Sequence, residues 1–270
     1  MSTGEAKPQV EETRLNGLEF LEGISGMYIN QKLEIIEAAT GINTSNEYRV
    51  VPIGQNMPDP IPPSWMKDFT RGNLEALFKS REDSGGLQRN LCPGLRSFTM
   101  PFLDGAGTRF FSAIRPFRCS LGLPYVCIFQ PQELVLLDAR DETYAKVKET
   151  KPTCCGRTFE ATDENDRIIY DVSYNCLNSD SGRSNFCAPS CFNSTLNVDI
   201  REPKTGKHLG VMTSLWPGFS CASLTDRSHF VVRFAPNSHP KQRAALVAAM
   251  ILIEFAVFEQ IRAKQALCYC

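Results

Sequence analysis

The segment Ala244–Phe258 (AALVAAMILIEFAVF) is apolar on every face of a helix and is interrupted only by Glu254. A helix that is hydrophobic all round has to be buried, in lipid or in protein. A bilayer span takes roughly 20 apolar residues, whereas a run of roughly 10–14 is more typical of a core helix. The length therefore favours a protein core. Glu254 bears on the same choice, because an ionisable group at the centre of a bilayer costs about 2.5–3.5 kcal/mol or more. Inside a protein it needs a hydrogen-bond partner instead. Lys241 and Arg243 before the segment, with Arg262 and Lys264 after it, suit two membrane faces or the two exposed ends of a plug.

The rest of the chain supplies something to receive such a plug. Phe98–Leu103 and Phe110–Ile114 flank Asp104-Gly105-Ala106-Gly107; Glu133–Leu137 and Tyr144–Val147 flank Asp138–Glu142. Thr158–Thr162 and Ile168–Val172 flank Asp163–Asp166, and Asn197–Ile200 and Leu209–Met212 flank Pro203–Gly206. Short alternating runs separated by Asp and Gly clusters are hairpin signals. Their irregular spacing suggests a meander, and a closed antiparallel barrel around an axial helix buries both kinds of element. Met27–Ala39 reads as strand or short helix, closed by Gly41. Pro58, Pro60, Pro62 and Pro63 form a stiff connector outside any central strand, an ordered loop rather than a docking ligand of the PxxP kind.

At 270 residues, one β-rich domain or two ordinary domains are permitted. A formal net charge of -1 provides no global field for nucleic acid or anionic lipid. Residues 1–16 read as a disordered polar tail without the apolar core of a signal peptide. With no export signal, most of the 11 cysteines are expected as reduced thiols.

Several motifs in order along the chain resemble the phospholipid scramblase family. They are GLEFL at Gly17–Leu21, INQKLEIIEAATG at Ile29–Gly41 and the NTSNEY that follows. SFTMPFLDGAGTRFFSAIRPFRC at Ser97–Cys119 includes an Arg115-Pro116-x-Arg118-Cys119 signature; Trp216 and LVAAMILIEFAVFE at Leu246–Glu259 complete the set. The resemblance implies a mostly β, tubby-like fold: a closed antiparallel twelve-stranded barrel over residues 17–262 around the C-terminal hydrophobic helix, then a tail at 263–270. A Pro-rich insertion at about 57–71 enlarges one early loop. The implied activity is Ca²⁺-responsive, ATP-independent, bidirectional movement of phospholipids between leaflets, at the cytoplasmic face of the plasma membrane. Membrane phospholipids and signalling or adaptor proteins are the implied partners, and nothing indicates nucleic acid. The chain would be lipid-anchored there, or held by the C-terminal helix as a single pass.

The resemblance also places expected sites. The family's calcium loop falls on Asp226–Asn237, where Asp226, Ser228 and Asn237 offer side-chain oxygens and Phe230 and Val232 only carbonyls. Ca²⁺ takes six to eight oxygens, and Arg227 and Arg233 repel it. Cys119 and Cys127, after the signature, fall where family members are acylated, and two such groups suffice for stable anchoring. The terminal Cys268-Tyr269-Cys270 resembles instead the C-terminal CxC prenylation pattern of some small GTPases and is not a CaaX box. Free thiols are the alternative for each pair. The helix residues Ala244, Leu246, Ile251, Glu254 and Phe258 form the buried or membrane element. No basic cluster surrounds Trp216, and no Pro-rich N-terminal arm is present. Cys154, Cys155, Cys176, Cys187, Cys191 and His208 lack the paired CxxC spacing of a zinc site. No catalytic constellation is evident, so a lipid-translocating protein is expected, with a lipid-tethered interaction protein of the same fold as the alternative.

Overall fold

The computed structural model describes residues 18–32, 47–54, 56–59, 62, 76–84, 96–118, 122–123, 126–127, 131–150, 155–186, 188, 195–215, 229–258 and 261. A short 3-10 turn (Glu19–Leu21) precedes β1 (Gly26–Lys32), β2 (Glu47–Ile53), β3 (Phe78–Arg81), β4 (Phe98–Leu103) and β5 (Arg109–Arg115). A separate two-stranded ribbon follows, β6 (Gly122–Leu123) and β7 (Val126–Cys127). Then come β8 (Glu133–Asp138), β9 (Thr143–Glu149), β10 (Gly156–Asp163), β11 (Ile168–Asn175), β12 (Thr195–Arg201), β13 (His208–Leu215) and β14 (His229–Arg233). The helix α1 (Pro240–Ile253) continues without a break into a π-helical turn, Glu254–Phe258.

Twelve strands close into an antiparallel barrel in the order β1-β14-β13-β12-β11-β10-β9-β8-β5-β4-β3-β2. Neighbours in sequence are neighbours in space, and the meander closes where β1 meets β14. At that seam Gly26 lies opposite Arg233, and a Cβ there would come within 2.3 Å of the Val232 carbonyl oxygen. Only glycine fits so close a backbone approach.

Alternation decides what fills the lumen. Leu134 and Leu136, Ala145 and Val147, and Phe159 and Ala161 point inward from β8, β9 and β10, all fully buried. Small side chains there, with Ala244, Ala245, Ala248 and Ala249 on α1, let the helix lean on this side of the wall. Phe20, Phe78, Phe102, Phe110 and Phe111 fill space beside β3, β4 and β5 in edge-to-face or tilted pairs 4.3–5.8 Å apart. Every residue from Ala244 to Phe258 is buried, so the segment is the barrel's plug. Among the described residues no helix is long and apolar enough to cross a membrane.

The two ends of the barrel are built differently. At the upper rim, where α1 enters, three hairpins turn by one recipe. Asp104, Asp138 and Asp163 each accept through Oδ1 from the backbone N–H groups two and four residues on, at 2.7–3.0 Å. The residue three after each Asp has positive φ: Gly107 (77°), Asp141 (63°) and Asp166 (58°). A type I turn followed by one left-handed residue and a bulge is the expected three-residue hairpin. Asp supplies both the side-chain acceptor and, like Gly, tolerance of that conformation. The helix start is capped there too: His239 N–H donates to Gln242 Oε1 at 2.9 Å, and Pro240 occupies the first turn.

The first part of the Pro-rich connector is clamped against the outer wall. Arg233 Nη2 donates to the carbonyls of Met57 (3.1 Å) and Pro58 (2.6 Å), and Asp59 accepts from Arg183 at 2.6 Å. Met57 thereby covers a satellite cluster of Tyr28, Ile53, Leu215 and Val231. Beneath it Tyr28 Oη lies 2.6 Å from His229 Nδ1, and burial pushes the Tyr28 phenol up to about 12. Residues 1–17, most of the connector, and 262–270 lie outside the described residues, as does the second half of Met27–Ala39; its first half is strand.

Candidate functional site

A buried polar belt flanks the last turns of the helix at the lower rim. It has a simple origin in strand parity, because an inward-facing apolar row continues two residues further into a polar side chain. Phe78 and Ser80 lead to Glu82, Phe111 and Ala113 to Arg115, and Ala145 and Val147 to Glu149. Running the other way, Met100 and Phe98 lead to Arg96, Leu136 and Leu134 to Gln132, and Ala161 and Phe159 to Arg157. These rows belong to β3, β4, β5, β8, β9 and β10, which are contiguous in the barrel.

Each member of the belt hydrogen-bonds to another. Arg96 holds Glu82 through two bonds, Nε to Oε1 at 2.5 Å and Nη2 to Oε2 at 3.0 Å, with both side chains fully buried. Arg115 donates to Gln132 Oε1 at 2.6 Å and to the Arg96 carbonyl at 3.3 Å. Glu149 accepts from the Gln132 backbone N–H at 3.1 Å and from Arg157 Nε at 2.6 Å. Burying charge is tolerable only with such pairing.

Three arginines meet the helix itself. Arg96 and Arg115 lie over the Phe255 ring, 4.7 and 5.7 Å from its centroid, and Arg157 donates to the Ala256 carbonyl. A cation at the last carbonyls of a helix satisfies orphan acceptors and complements the helix dipole. Glu254 is buried among these turns at 4% exposure. It borders a lumenal cavity of about 20 Å³ that Tyr48, Met100 and Phe102 also line, room for one water rather than an acyl chain.

The sequence-predicted sites are distributed unevenly about this belt. Arg115 and Arg118 of the RPFRC signature are structural: Arg115 belongs to the belt, while Arg118 pairs with Glu133 and its carbonyl accepts from Gln132 Nε2. Phe230 and Val232 of the expected calcium loop are strand residues. Phe230 pairs with Ile29 and Ser214, Val232 with Met27 and Met212, and both side chains are in the core. Asn237 sits in a turn at φ 62° beyond the strand. Asp226 and Ser228 lie outside the described residues. Residues that alternate along a paired strand do not wrap a cation, so the described part of this segment does not fit a Ca²⁺ loop.

Cys119, Cys268 and Cys270, and the side chain of Cys127, also lie outside the described residues, as does Trp216. Cys155 and Cys176 depart from the reduced-thiol expectation: they form a disulfide across the end of the β10–β11 ladder, Cα atoms 5.3 Å apart. That removes two members of the weighed zinc constellation, and a third, His208, faces Asp199 at 3.2 Å. At the upper rim a cleft of about 580 Å³ opens beside the helix start, lined by Leu18, Tyr144, Arg167, Ile169 and Lys241 among others. Its cations are paired, Lys241 with Glu164 at 2.5 Å and Arg167 with Asp163 at 2.9 Å.

The geometry defines a closed meander barrel whose lumen is filled by its own C-terminal helix and sealed at one end by paired charges. Residues 5–260 match the scramblase family, and the chain belongs to that family. It is 25% identical over 245 residues to phospholipid scramblase 1 of Mus musculus, covering 90% of this chain and 64% of that protein. To phospholipid scramblase 1 of Homo sapiens it is 24% identical over 250 residues, covering 92% of this chain and 68% of that protein. Phospholipid scramblase 2 of Bos taurus is 24% identical over 249 residues, covering 92% and 73%. The match thus spans less than two thirds of the mouse relative, and likewise 63% of the Rattus norvegicus one. No solved structure matches.

Proposed function

We propose that this chain is a phospholipid scramblase, moving phospholipids in both directions between bilayer leaflets without ATP. The observation that carries the reading is the family match over nearly the whole chain, to relatives named for that activity. A filled lumen leaves no passage for acyl chains along the barrel axis, so exchange on this reading proceeds at the outer surface, where headgroups follow polar protein while tails stay in the bilayer. The protein acts from the cytoplasmic face of the plasma membrane, held by acyl or prenyl groups at Cys119, Cys127, Cys268 and Cys270.

Calcium responsiveness is the finer part of the proposal, and no step of exchange is routed through Asp226–Asn237. A second reading, a lipid-tethered interaction protein with no transport, is favoured by the burial of α1 inside the barrel. Reconstitution of the purified chain into liposomes carrying a labelled phospholipid separates the two. Faster leaflet exchange without nucleotide is the expected result, and repeating it across a Ca²⁺ titration reads the response. No acceleration at any Ca²⁺ concentration would sink the scramblase reading and leave the tethered one.

A further inference from the structure

Exposed apolar side chains are distributed unevenly between the two rims. Among the described residues, five large hydrophobic side chains are exposed: Ile114 (37%), Phe117 (44%), Ile168 (46%), Leu177 (52%) and Phe186 (62%). Four of them lie at or just beyond lower-rim strand ends, two beside β5 and two beside β11. Ile114 faces outward one residue before the end of β5, and Phe117 follows that end. Leu177 follows the end of β11, and its carbonyl accepts from the Phe186 N–H at 3.1 Å, so the two are neighbours. Ile168, at the upper start of β11, is the exception.

The cysteines divide along the same line. In chain order, each of the 11 lies between two strand ends of the lower rim or after the helix that finishes there. Cys92 separates β3 from β4, Cys119 and Cys127 separate β5 from β8, and Cys154 and Cys155 separate β9 from β10. Cys176, Cys187 and Cys191 separate β11 from β12, Cys221 separates β13 from β14, and Cys268 and Cys270 follow Phe258. None falls in a barrel strand, in α1 or in an upper-rim connection. The upper rim instead presents the charged turns at Asp104, Asp138 and Asp163, whose carboxylates and close-packed backbone have no place among acyl chains.

We infer that the lower rim is a membrane-docking surface, on which the barrel stands with Phe117, Leu177 and Phe186 in the interfacial zone of a phospholipid bilayer. Aromatic and aliphatic side chains projecting from one end of a fold match the depth that interfacial proteins reach, about 5–10 Å. The buried belt suits this placement. Arg96, Arg115 and Arg157 approach that end of the barrel, and each is already hydrogen-bonded within the protein. The choice of a bilayer over a protein partner rests on the membrane reading given above.

The test uses the full-length chain with vesicles of phosphatidylcholine and phosphatidylserine carrying brominated acyl chains. Single substitutions Phe117→Trp, Phe186→Trp and Ile168→Trp are each read as the change in fluorescence relative to the parent, which has Trp65 and Trp216. Quenching is expected for Phe117→Trp and Phe186→Trp and not for Ile168→Trp. The combined change Phe117→Asp, Leu177→Asp and Phe186→Asp should weaken vesicle partitioning roughly tenfold or more, since binding scales with buried apolar area. Ile168→Asp should leave it unchanged, with both variants shown to be folded by their thermal transitions. Quenching at Ile168→Trp alone, equal quenching at both rims, or none at all overturns the inference. Absence of vesicle contact together with capture of a protein by the same rim overturns it as well. Rim-specific quenching without leaflet exchange removes the scramblase reading and leaves the orientation standing; exchange without rim-specific quenching does the reverse.

Discussion

The two rims handle charge in opposite ways. At the upper rim, carboxylates serve the backbone: Asp104, buried, and Asp138 and Asp163, half-buried, each close one tight turn. At the lower rim a set of buried side chains serves one another, with Glu82, Arg96, Arg115, Gln132 and Glu149 forming an arc along β3, β4, β5, β8 and β9. Similar ion pairs therefore carry different weights. An exposed pair such as Lys241–Glu164 competes with water and gains little. A fully buried pair such as Arg96–Glu82 gains little by existing, but neither member can be removed without leaving a desolvated charge behind.

The largest expected effect probes that asymmetry directly. Glu82→Ala strands Arg96 in the belt and should lower unfolding free energy by about 3–5 kcal/mol, measured as a shift in urea midpoint. A loss below that of an exposed pair would mean that water reaches the belt and that the rims are not so different. Next comes the cross-strand link at the lower rim. Cys155 and Cys176 are separated by 21 residues, and the joint change Cys155→Ser with Cys176→Ser should cost about 3 kcal/mol on the chain-entropy account. Adding reductant to the parent should reproduce the shift, and mass spectrometry after thiol alkylation should find the pair protected only without reductant.

At the upper rim the effects shrink. Asp138→Ala removes the acceptor for the Arg140 and Glu142 N–H groups, in a turn where water substitutes, so about 1 kcal/mol is expected by urea titration. Lys241→Ala should cost less than about 0.5 kcal/mol at neutral pH. Its pH dependence has a definite sign. The hydrogen bond from Lys241 holds the Glu164 carboxyl below its usual range. The contribution of the pair is full above the unfolded carboxylate pKa and is lost as pH falls through the folded one. Parent and variant stabilities should therefore converge on acidification; divergence would contradict the assignment.

What could be read from the sequence follows the strength of local rules. The plug was legible because Ala244–Phe258 is too short for a bilayer and too apolar for a surface. Hairpins at Asp104, Asp138 and Asp163 were legible because turn chemistry is local. The belt was not read, although its signal was present: Phe111, Ala113 and Arg115 share parity, as do Ala145, Val147 and Glu149. A charge at the end of an inward row looks like the end of a strand until its partners from five other strands are placed. The Cys155–Cys176 link was hidden for a similar reason, since it depends on the register that sets Gly156 opposite Asn175. Phe230 and Val232 show the converse, where alternation already marked a strand within a segment expected to be a metal loop.

The seam between β1 and β14 has a consequence for how the chain reaches its native state. Met27 and its partner Val232 are separated by nearly the full run of strands, and the plug follows the last strand in chain order. On a ribosome, every hairpin of the wall emerges before the residues that close it or fill it. Contacts of such long sequence separation form late and slowly, and an open sheet with an unfilled inner face is exposed to aggregation meanwhile. Productive folding of the barrel therefore waits on arrival of the helix. A shortened chain lacking Pro240–Phe258 should accumulate as an insoluble product rather than as a weakened barrel.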